Sequence, residues 1–342
     1  MQFYLYIFSF LIIYFLLINF FLIKFKISLD NESINETHKS LLRENNLTPL
    51  SGTFYFLPII LILFYFLDTA LIAFCSLLFI IGLLADLKVI TSYKLRLIFQ
   101  FLSFSLLFFI NKEIMIDTRI AFVNDLMSNN LTRILVCTFF FMVLINGFNL
   151  IDGTNCLCTL NFALILIFIY SLIIKLNINY FNDELKIFLV PILIFLFLNF
   201  FGYNFLGDGA AYGLGFFLGY ILLNISLINN SISPYFIANL LWYPAFENLF
   251  SILRRNFSKT NNYLPDNDHL HQLVFKFYKK KTNIKKNFLI SSLVGISINS
   301  ILFINYFIGL NYYNHTVTQV ILIVAGIFLY LMSYYILKKK LG

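Results

Sequence analysis

Five carboxylates stand within or at the ends of long apolar runs of this 342-residue chain: Asp68, Asp86, Asp152, Asp208 and Glu247. A charged side chain is costly in the interior of a membrane and is usually kept there for a function. Carboxylates that lie close together repel one another, and a divalent cation relieves the repulsion. Oxygen ligands in low number, completed by phosphate groups, suit Mg²⁺. These residues therefore predict a magnesium site that works with phosphate compounds.

The stretch NGFNLIDGTNCL places a row of polar side chains at the end of an apolar run. Asn146, Asn149 and Asp152 are spaced by three residues, so a helix would present them on one face. Amide and carboxylate groups are poor choices for contact with lipid. We interpret these three as site residues, with helix-packing residues and a helix cap as the alternative.

The stretch NFFGYNFLGDGAAYGLGFFLGY places Asp208 in a glycine-flanked turn before a helix. Such a turn directs backbone N–H groups and a helix N-terminus toward an anion. Glycines alone are weak evidence, since small residues also pack membrane helices against each other. The aspartate among them favours a functional turn.

The largest hydrophilic loop is predicted at 254–287, and it holds two arginines and two histidines, Arg254, Arg255, His269 and His271. These side chains together can bind phosphate. Nearby aspartates would also suit zinc, but no cysteine lies close and the spacing is not that of a standard zinc site. The alternative is a solvated basic loop that touches anionic lipid, which we expect for the lysine run at 279–281.

The composition indicates an integral membrane protein. Of all residues, 60% are hydrophobic and only 12% are charged, whereas a soluble domain has roughly 25% charged residues. This excludes a water-soluble globule, a disordered chain and a nucleic-acid-binding protein. The apolar runs approach the roughly 20 residues that cross a bilayer. We predict an all-α polytopic bundle of about 10–11 transmembrane helices, forming a single transmembrane domain over residues 1–342.

Eleven apolar runs predict the helices, at about 3–23, 53–67, 69–85, 95–110, 131–149, 157–174, 187–203, 213–229, 236–253, 288–308 and 318–337. The first run is too long for a signal-peptide core and lacks a basic flank before it, so we interpret it as a retained helix. The four cysteines lie in or beside apolar runs and are interpreted as small hydrophobic residues.

The basic residues predict the orientation. With eleven helices, one set of alternate loops carries nineteen Lys and Arg residues and the other set carries five. Basic loops stay in the cytoplasm, so the N-terminus is expected outside and the C-terminus inside. Asp86, Asp152 and Asp208 then share the cytoplasmic face, whereas Asp68 falls in an outer turn, where we expect a solvated side chain.

Taken together and in this order, the motifs resemble the polyprenyl-phosphate sugar-1-phosphate transferases, glycosyltransferase family 4. The resemblance runs from about residue 38 to 275 and rests on the NLIDG, FLGDG and PDNDHLH blocks. Asp86 at a helix end and the TPLSG stretch of the first loop accompany these blocks. The forms GDGAAY and FENLFSILRR look most like the bacterial branch that initiates O-antigen and other surface glycans.

The resemblance implies a membrane enzyme with its active site on the cytoplasmic face. It would move a sugar 1-phosphate from a UDP-sugar to undecaprenyl phosphate, with Mg²⁺, or Mn²⁺ as an alternative, as cofactor. The implied catalytic residues are Asp86, Asp152 and Asp208, of which Asp208 and Asp152 would bind the metal. The implied substrate-binding residues are Asn146, Asn149, Asn155, Phe205, which would stack on uracil, Arg254, Arg255, and His269 and His271 near the diphosphate.

The sequence departs from the family pattern at three positions. The family's pair of acidic residues is here Ala85–Asp86, so one carboxylate is missing. Asn155 stands where many relatives carry a second aspartate, and Gln272 replaces a third histidine found in some relatives. The loss of the acid at Ala85 is the departure that bears on activity.

The resemblance also implies the bacterial cytoplasmic membrane as location, a bilayer environment and a homodimer, with no nucleic-acid partner. The transferred group is expected to be an N-acetylhexosamine 1-phosphate, but the sequence does not identify the sugar. The alternatives are the peptidoglycan translocase that uses a UDP-muramyl-peptide, a family member with impaired catalysis, and a polytopic transporter. The GDGAAY form and the short PDNDHLHQL stretch count against the translocase, and the absence of internal repeats counts against the transporter.

Overall fold

The computed structural model describes residues 2–27, 48–65, 68–112, 117–258 and 268–341. These residues form thirteen helices and, apart from one isolated bridge, contain no strand. The helices are α1 (Gln2–Phe25), α2 (Gly52–Phe64), α3 (Thr69–Asp86), α4 (Tyr93–Ile110), α5 (Ala121–Ser128), α6 (Asn130–Ile151), α7 (Leu157–Leu176), α8 (Asn182–Phe200), α9 (Asp208–Ile228), α10 (Pro234–Ser258), α11 (Leu270–Lys281), α12 (Asn287–Asn311) and α13 (Thr316–Leu341).

The helices confirm a polytopic all-α membrane protein. Within the described residues, seven are long and apolar enough to cross a membrane: α3, α4, α6, α7, α9, α12 and α13. Each of the eleven predicted runs overlaps an observed helix. The described part of α1 and the 13-residue α2 are shorter apolar helices, so a total of ten or eleven spans stays a prediction.

Two short helices, α5 and α11, were not predicted. Both lie between the apolar runs, and α11 ends in the lysine run at 279–281. Their apolar residues are confined to one side, as in LHQLVFKFYKKK, so a search for continuous apolar runs passes over them. The helix α11 lies in the predicted hydrophilic loop and carries His271 in its first turn.

The helix α9 is the centre of the bundle. Of its most apolar stretch, 78% of the residues are buried by other helices, compared with 17% for α13 at the edge. Its start was predicted at 213, but the helix begins five residues earlier, at Asp208. The early start has a physical cause, because a carboxylate from α3 accepts the hydrogen bonds of its first amides.

Two glycines let α3 and α9 cross at close range. A Cβ added at Gly82 would lie 2.4 Å from the Cα of Gly209. A Cβ at Gly209 would in turn lie 2.8 Å from the carbonyl oxygen of Phe79. Neither position can hold a larger residue without moving backbone, since real Cβ contacts are much longer. The crossing sets the distance between the end of α3 and the start of α9.

Contacts among loops show that several helix ends meet at one end of the bundle, which we call the site end. The end of α3 and the turn after α6 both contact the start of α9. A parallel bridge joins Leu50 to Phe205 in the loop before α9. At the opposite end, Asp68 accepts hydrogen bonds from the Leu71 amide and the Tyr220 hydroxyl. Asp68 is therefore a helix cap with a side-chain partner, more fixed than the solvated residue expected from sequence.

We expect Gly82→Ala to lower the stability of the fold. The added methyl would meet the backbone of α9 at 2.4 Å, and such overpacking costs about 1–3 kcal/mol. Thermal unfolding of the purified protein in detergent measures the loss. Leu77→Ala, which changes an exposed side chain of the same helix, is the control and should shift the midpoint much less. Equal midpoints for the two variants would contradict the close crossing.

Candidate active site

The site is built around the first residues of α9. Three successive backbone amides, those of Gly207, Asp208 and Gly209, donate hydrogen bonds to carboxylates. The first amides of a helix have no acceptor within the helix, and the N-terminus carries a partial positive charge. Negative side chains are stabilised there. The turn therefore collects acidic residues from other helices.

Asp86 binds this turn with both carboxylate oxygens. Its Oδ1 lies 3.0 Å from the amide nitrogen of Asp208, and its Oδ2 lies 3.1 Å from that of Gly209. Gly207 has a φ of +85°, and a Cβ there would lie 2.8 Å from Asp86 Oδ2. Glycine is thus required by both the backbone angle and the close carboxylate. Asp86 holds the start of α9 in place.

Asp152 approaches the same turn from α6. It follows the last residue of that helix, and its Oδ2 accepts a hydrogen bond from the amide of Gly207 at 3.2 Å. The three predicted aspartates therefore do converge, and the convergence is arranged through backbone amides of one turn.

Asp208 lies in the turn itself and, like Asp86 and Asp152, has a partly exposed side chain. Its Oδ2 lies 2.6 Å from Nη1 of Arg96, and its Oδ1 accepts a hydrogen bond from Asn149 at 2.7 Å. About a quarter of each charged side chain of the ion pair, 24%, is accessible. Rotation of the Asn149 amide would turn its oxygen toward Asp208, so both side chains can face a cation. Asp208 is the carboxylate best placed to meet a ligand.

Asn146 lies one helical turn before Asn149 and has a structural partner. Its amide donates to Gln100 Oε1 at 2.8 Å and to the carbonyl of Met142 at 2.8 Å. Gln100 is fully buried on α4, four residues after Arg96. The pair joins α6 to α4 behind the ion pair of Arg96 and Asp208. Asn146 therefore joins α6 to α4 next to the site, and its contact with substrate stays a prediction.

Asn155 lies in a buried turn that several helices hold. Its backbone amide donates to the Ser291 hydroxyl at 2.7 Å, and a Cβ on Gly295 would lie 2.4 Å from its carbonyl oxygen. The Oδ1 of Asn155 and the hydroxyl of Thr154 are buried and have no hydrogen-bond partner among the described residues. Buried polar atoms of this kind usually have a partner. The turn next to Asp152 therefore offers polar groups to a water or a ligand.

Phe205 joins the first loop to the site. Its amide donates to the carbonyl of Pro49 at 3.0 Å, and its carbonyl accepts from the amide of Ser51 at 3.1 Å. A Cβ on Gly52 would lie 2.3 Å from the carbonyl of Leu206. The end of the TPLSG stretch thus lies beside the turn that carries Asp208, and the Phe205 side chain is half-buried there. His38, Lys39 and Arg43 of the first loop lie outside the described residues.

The histidine motif reaches the site through His271. A Cβ on Gly153 would lie 2.3 Å from His271 Nε2, so this ring lies directly against the turn that follows Asp152. The ring of His269 stacks on that of His271 with centroids 5.5 Å apart. Both side chains are almost fully buried. The structure therefore brings His271 next to the turn that carries Asp152. The contact of the two histidines with the diphosphate stays a prediction.

The two arginines of α10 occupy a different place. Arg254 donates to the carbonyl of Asp268 and to the Tyr334 hydroxyl, and its guanidinium lies over the Phe250 and Tyr334 rings. Arg255 lies near the end of the same helix and is partly exposed. Arg254 thus links α10 to α13 and to the residue before His269. Its contacts are with the helices that hold the histidine motif in place.

The sequence analysis did not assign two residues to the site. Arg96 was counted only among the basic residues that predict the orientation, although it pairs with Asp208. Gln100 received no role, although it pairs with Asn146. Their spacing of four residues could have indicated this role, because it places a charged side chain and an amide side chain on one face of an apolar helix.

The donor set fits a Mg²⁺ ion bound together with substrate. Among the described residues, no group of three acidic, histidine or cysteine side chains is arranged to hold a metal on its own. Mg²⁺ commonly binds through one or two carboxylates and completes its shell with waters and substrate phosphates. Asp208 and Asp152 contact the same turn and supply such oxygens, and Asn149 adds an amide oxygen. These are the residues that would hold the ion.

Comparison with known families supports a transferase. Residues 69–226 match the model of the family described as glycosyl transferase family 4. No curated protein matches the chain. The matched segment runs from the start of α3 almost to the end of α9 and includes Asp86, Asn146, Asn149, Asp152, Asn155, Phe205 and Asp208. This family transfers sugar phosphates to polyprenyl phosphate, so the match supports that activity in general and a location in a membrane.

We expect Asp86→Ala to destabilise the protein, because it removes the acceptor of two amides at the start of α9. Leaving such groups without a partner costs about 1–3 kcal/mol. Asp86→Asn keeps one acceptor oxygen and should cost less. Thermal unfolding midpoints in detergent measure the relative stabilities of the two variants and the wild type. The control is Asp125→Ala, at an exposed position on α5. An Asp86→Ala protein as stable as the control would contradict the capping role.

Proposed function

We propose that this protein transfers a sugar 1-phosphate from a UDP-sugar to undecaprenyl phosphate, with Mg²⁺ as cofactor. The observation that carries the proposal is the convergence of Asp86, Asp152 and Asp208 on one helix N-terminus at one end of a membrane bundle. A lipid phosphate and a soluble nucleotide can both reach such a place. The family match over residues 69–226 supports the same class of reaction.

The reaction exchanges one phosphoanhydride partner for another. An oxygen of the lipid phosphate forms a bond to the β-phosphorus of the UDP-sugar. The bond from that phosphorus to the oxygen it shares with the α-phosphorus breaks, and this oxygen leaves with UMP. The products are UMP and undecaprenyl-diphosphate-sugar. Positioning and charge neutralisation are the main demands on the protein.

The residues at the α9 turn divide into two roles. Asp208 and Asp152 would hold the Mg²⁺ ion, with Asn149 beside them, and the bound ion would neutralise charge on the phosphates. Arg96, paired with Asp208, would bind a substrate phosphate when the ion takes its place. Asp86 keeps the turn in position. The carboxylate that keeps the lipid phosphate deprotonated is either Asp86 or Asp152. We favour Asp152, because both oxygens of Asp86 already accept hydrogen bonds from backbone amides.

Other residues surround the nucleotide and the diphosphate. Phe205 would stack on uracil at the rim formed with the first loop, and His271 would approach the diphosphate from the Gly153 side. Asn155 and Thr154 add buried polar atoms that have no hydrogen-bond partner within the described part of the chain. The sugar is proposed to be an N-acetylhexosamine and the product to initiate a bacterial surface glycan such as O-antigen. The N-terminus would lie outside the cytoplasmic membrane and the site at its inner face.

Release of UMP is the direct test. Purified protein in detergent with undecaprenyl phosphate, Mg²⁺ and a panel of UDP-sugars should release UMP with at least one sugar. Asp208→Asn should lower the rate by about 100-fold or more, the scale of losing one preorganised electrostatic group, and EDTA should abolish release. Asp125→Asn, on the exposed face of α5, should keep wild-type activity. A folded wild-type protein that releases no UMP would contradict the proposal.

The alanine before Asp86 provides a second test. Ala85 ends α3 together with Asp86 and lies half-buried beside the site. An added carboxylate there would restore the acidic pair of the family. We expect Ala85→Asp to raise the rate of UMP release several-fold, while Ala85→Ser, of similar size without the charge, leaves it unchanged. Equal rates for both variants would show that the missing acid has no part in catalysis.

A further inference from the structure

A buried carboxylate behind the histidine motif is not used by the proposed reaction. Glu247 lies on α10, and only 1% of it is exposed. A buried charge is costly unless it is paired and hydrogen-bonded. Its Oε1 lies 2.8 Å from His269 Nδ1, and its Oε2 accepts a hydrogen bond from the Tyr330 hydroxyl at 2.7 Å. Both oxygens therefore have a partner.

The contact with Glu247 determines which ring nitrogen of His269 carries a proton. A carboxylate only accepts hydrogen bonds, so the ring must donate from Nδ1. When the ring is neutral, the single proton lies on Nδ1 and Nε2 is the basic nitrogen. Carboxylate partners of this kind orient functional histidines in many enzymes and fix the tautomer of the ring.

The ring of Tyr330, the second partner of Glu247, is held by packing against two phenylalanines. The Tyr330 ring packs edge-on against Phe246 at 5.1 Å and against Phe250 at 5.5 Å. Both phenylalanines lie on α10, on the same helix as Glu247. The backbone amide of His269 donates to Gln272 Oε1 at 3.1 Å, which fixes the start of α11 as well. Three helices, α10, α11 and α13, thus meet at one carboxylate.

The same contact reaches the aspartate turn through the second histidine. The His269 and His271 rings are stacked with an angle of 11° between their planes. His271 lies against Gly153, next to Asp152. A change in the orientation of His269 would therefore shift the ring that touches the catalytic turn.

We infer that Glu247 and Tyr330 are positioning residues for the histidine motif: they hold His269 with its proton on Nδ1, and through the stacked rings they hold His271 against the Asp152 turn. This inference rests on the proposed function only where activity is the readout. The tautomer of His269 can be measured in the full-length protein without substrate.

The first experiment is nitrogen NMR of ¹⁵N-histidine-labelled protein in detergent, with His269→Gln used to assign the signal. In the wild type we expect one tautomer, protonated on Nδ1. Glu247→Leu, which fills the site with an apolar side chain, should shift the ring toward the Nε2-protonated tautomer. A wild-type ring protonated on Nε2 alone, or a spectrum unchanged in Glu247→Leu, would overturn the inference, whether or not the protein releases UMP.

The second experiment is a double-mutant cycle on UMP release. We expect Glu247→Leu to lower the rate by about 10-fold or more, as for other partners that orient a functional histidine. In a His269→Ala background the same change should lower it by less than about 2-fold, since a residue that acts through His269 has no effect without it. Equal losses in both backgrounds would overturn the inference.

A matched pair of tyrosines separates positioning from general packing. Tyr330→Phe and Tyr220→Phe each remove a tyrosine hydroxyl that donates to a carboxylate, at Glu247 and Asp68 respectively. Tyr330→Phe should lower UMP release several-fold and change the His269 signal. Tyr220→Phe, at the opposite end of the bundle, should change neither. Equal effects of the two variants would overturn the role of Tyr330.

Discussion

The crossing of α3 and α9 sets the geometry on which the site depends. Gly82 and Gly209 bring the two backbones so close that no side chain fits between them. Asp86, four residues after Gly82, consequently falls on the unpaired amides at the start of α9. The position of Asp208 follows from that hydrogen bonding. A packing feature in the apolar part of the bundle thus determines where Asp208 lies.

Electrostatic balance explains why several acids can share this turn. Three backbone amides and the positive end of the α9 dipole face Asp86 and Asp152. Arg96 compensates the charge of Asp208. The amides at one helix end and one guanidinium stabilise the negative charges of the three aspartates. The convergence of the aspartates therefore does not require a bound metal ion. Such a site can take up a cation together with the phosphates that bring further negative charge.

The sequence predicted the helices and the convergence of the aspartates well, because both depend on features that are local in the chain. Apolar runs mark spans, and the three-residue spacing of Asn149 and Asp152 marks a face. What it did not predict depends on partners distant in the chain. The early start of α9 needs Asp86, which is 122 residues away from Asp208. Likewise, Arg96 pairs with Asp208, which is 112 residues away in the chain. The contact of Asn146 with Gln100 depends on how α4 packs against α6.

The hydrogen bonds from Asp86 to α9 also bear on the order in which the chain assembles. During synthesis α3 is made before α9, and five helices lie between them. Until α9 is made, Asp86 lacks the hydrogen bonds from its amides. Domains form from the N-terminus as the chain is made, but this contact closes a loop of 122 residues. The early helices therefore form an incomplete half with an acid at its edge. Insertion of α9 supplies these amides to Asp86, and the turn that gathers the three aspartates forms in the same step.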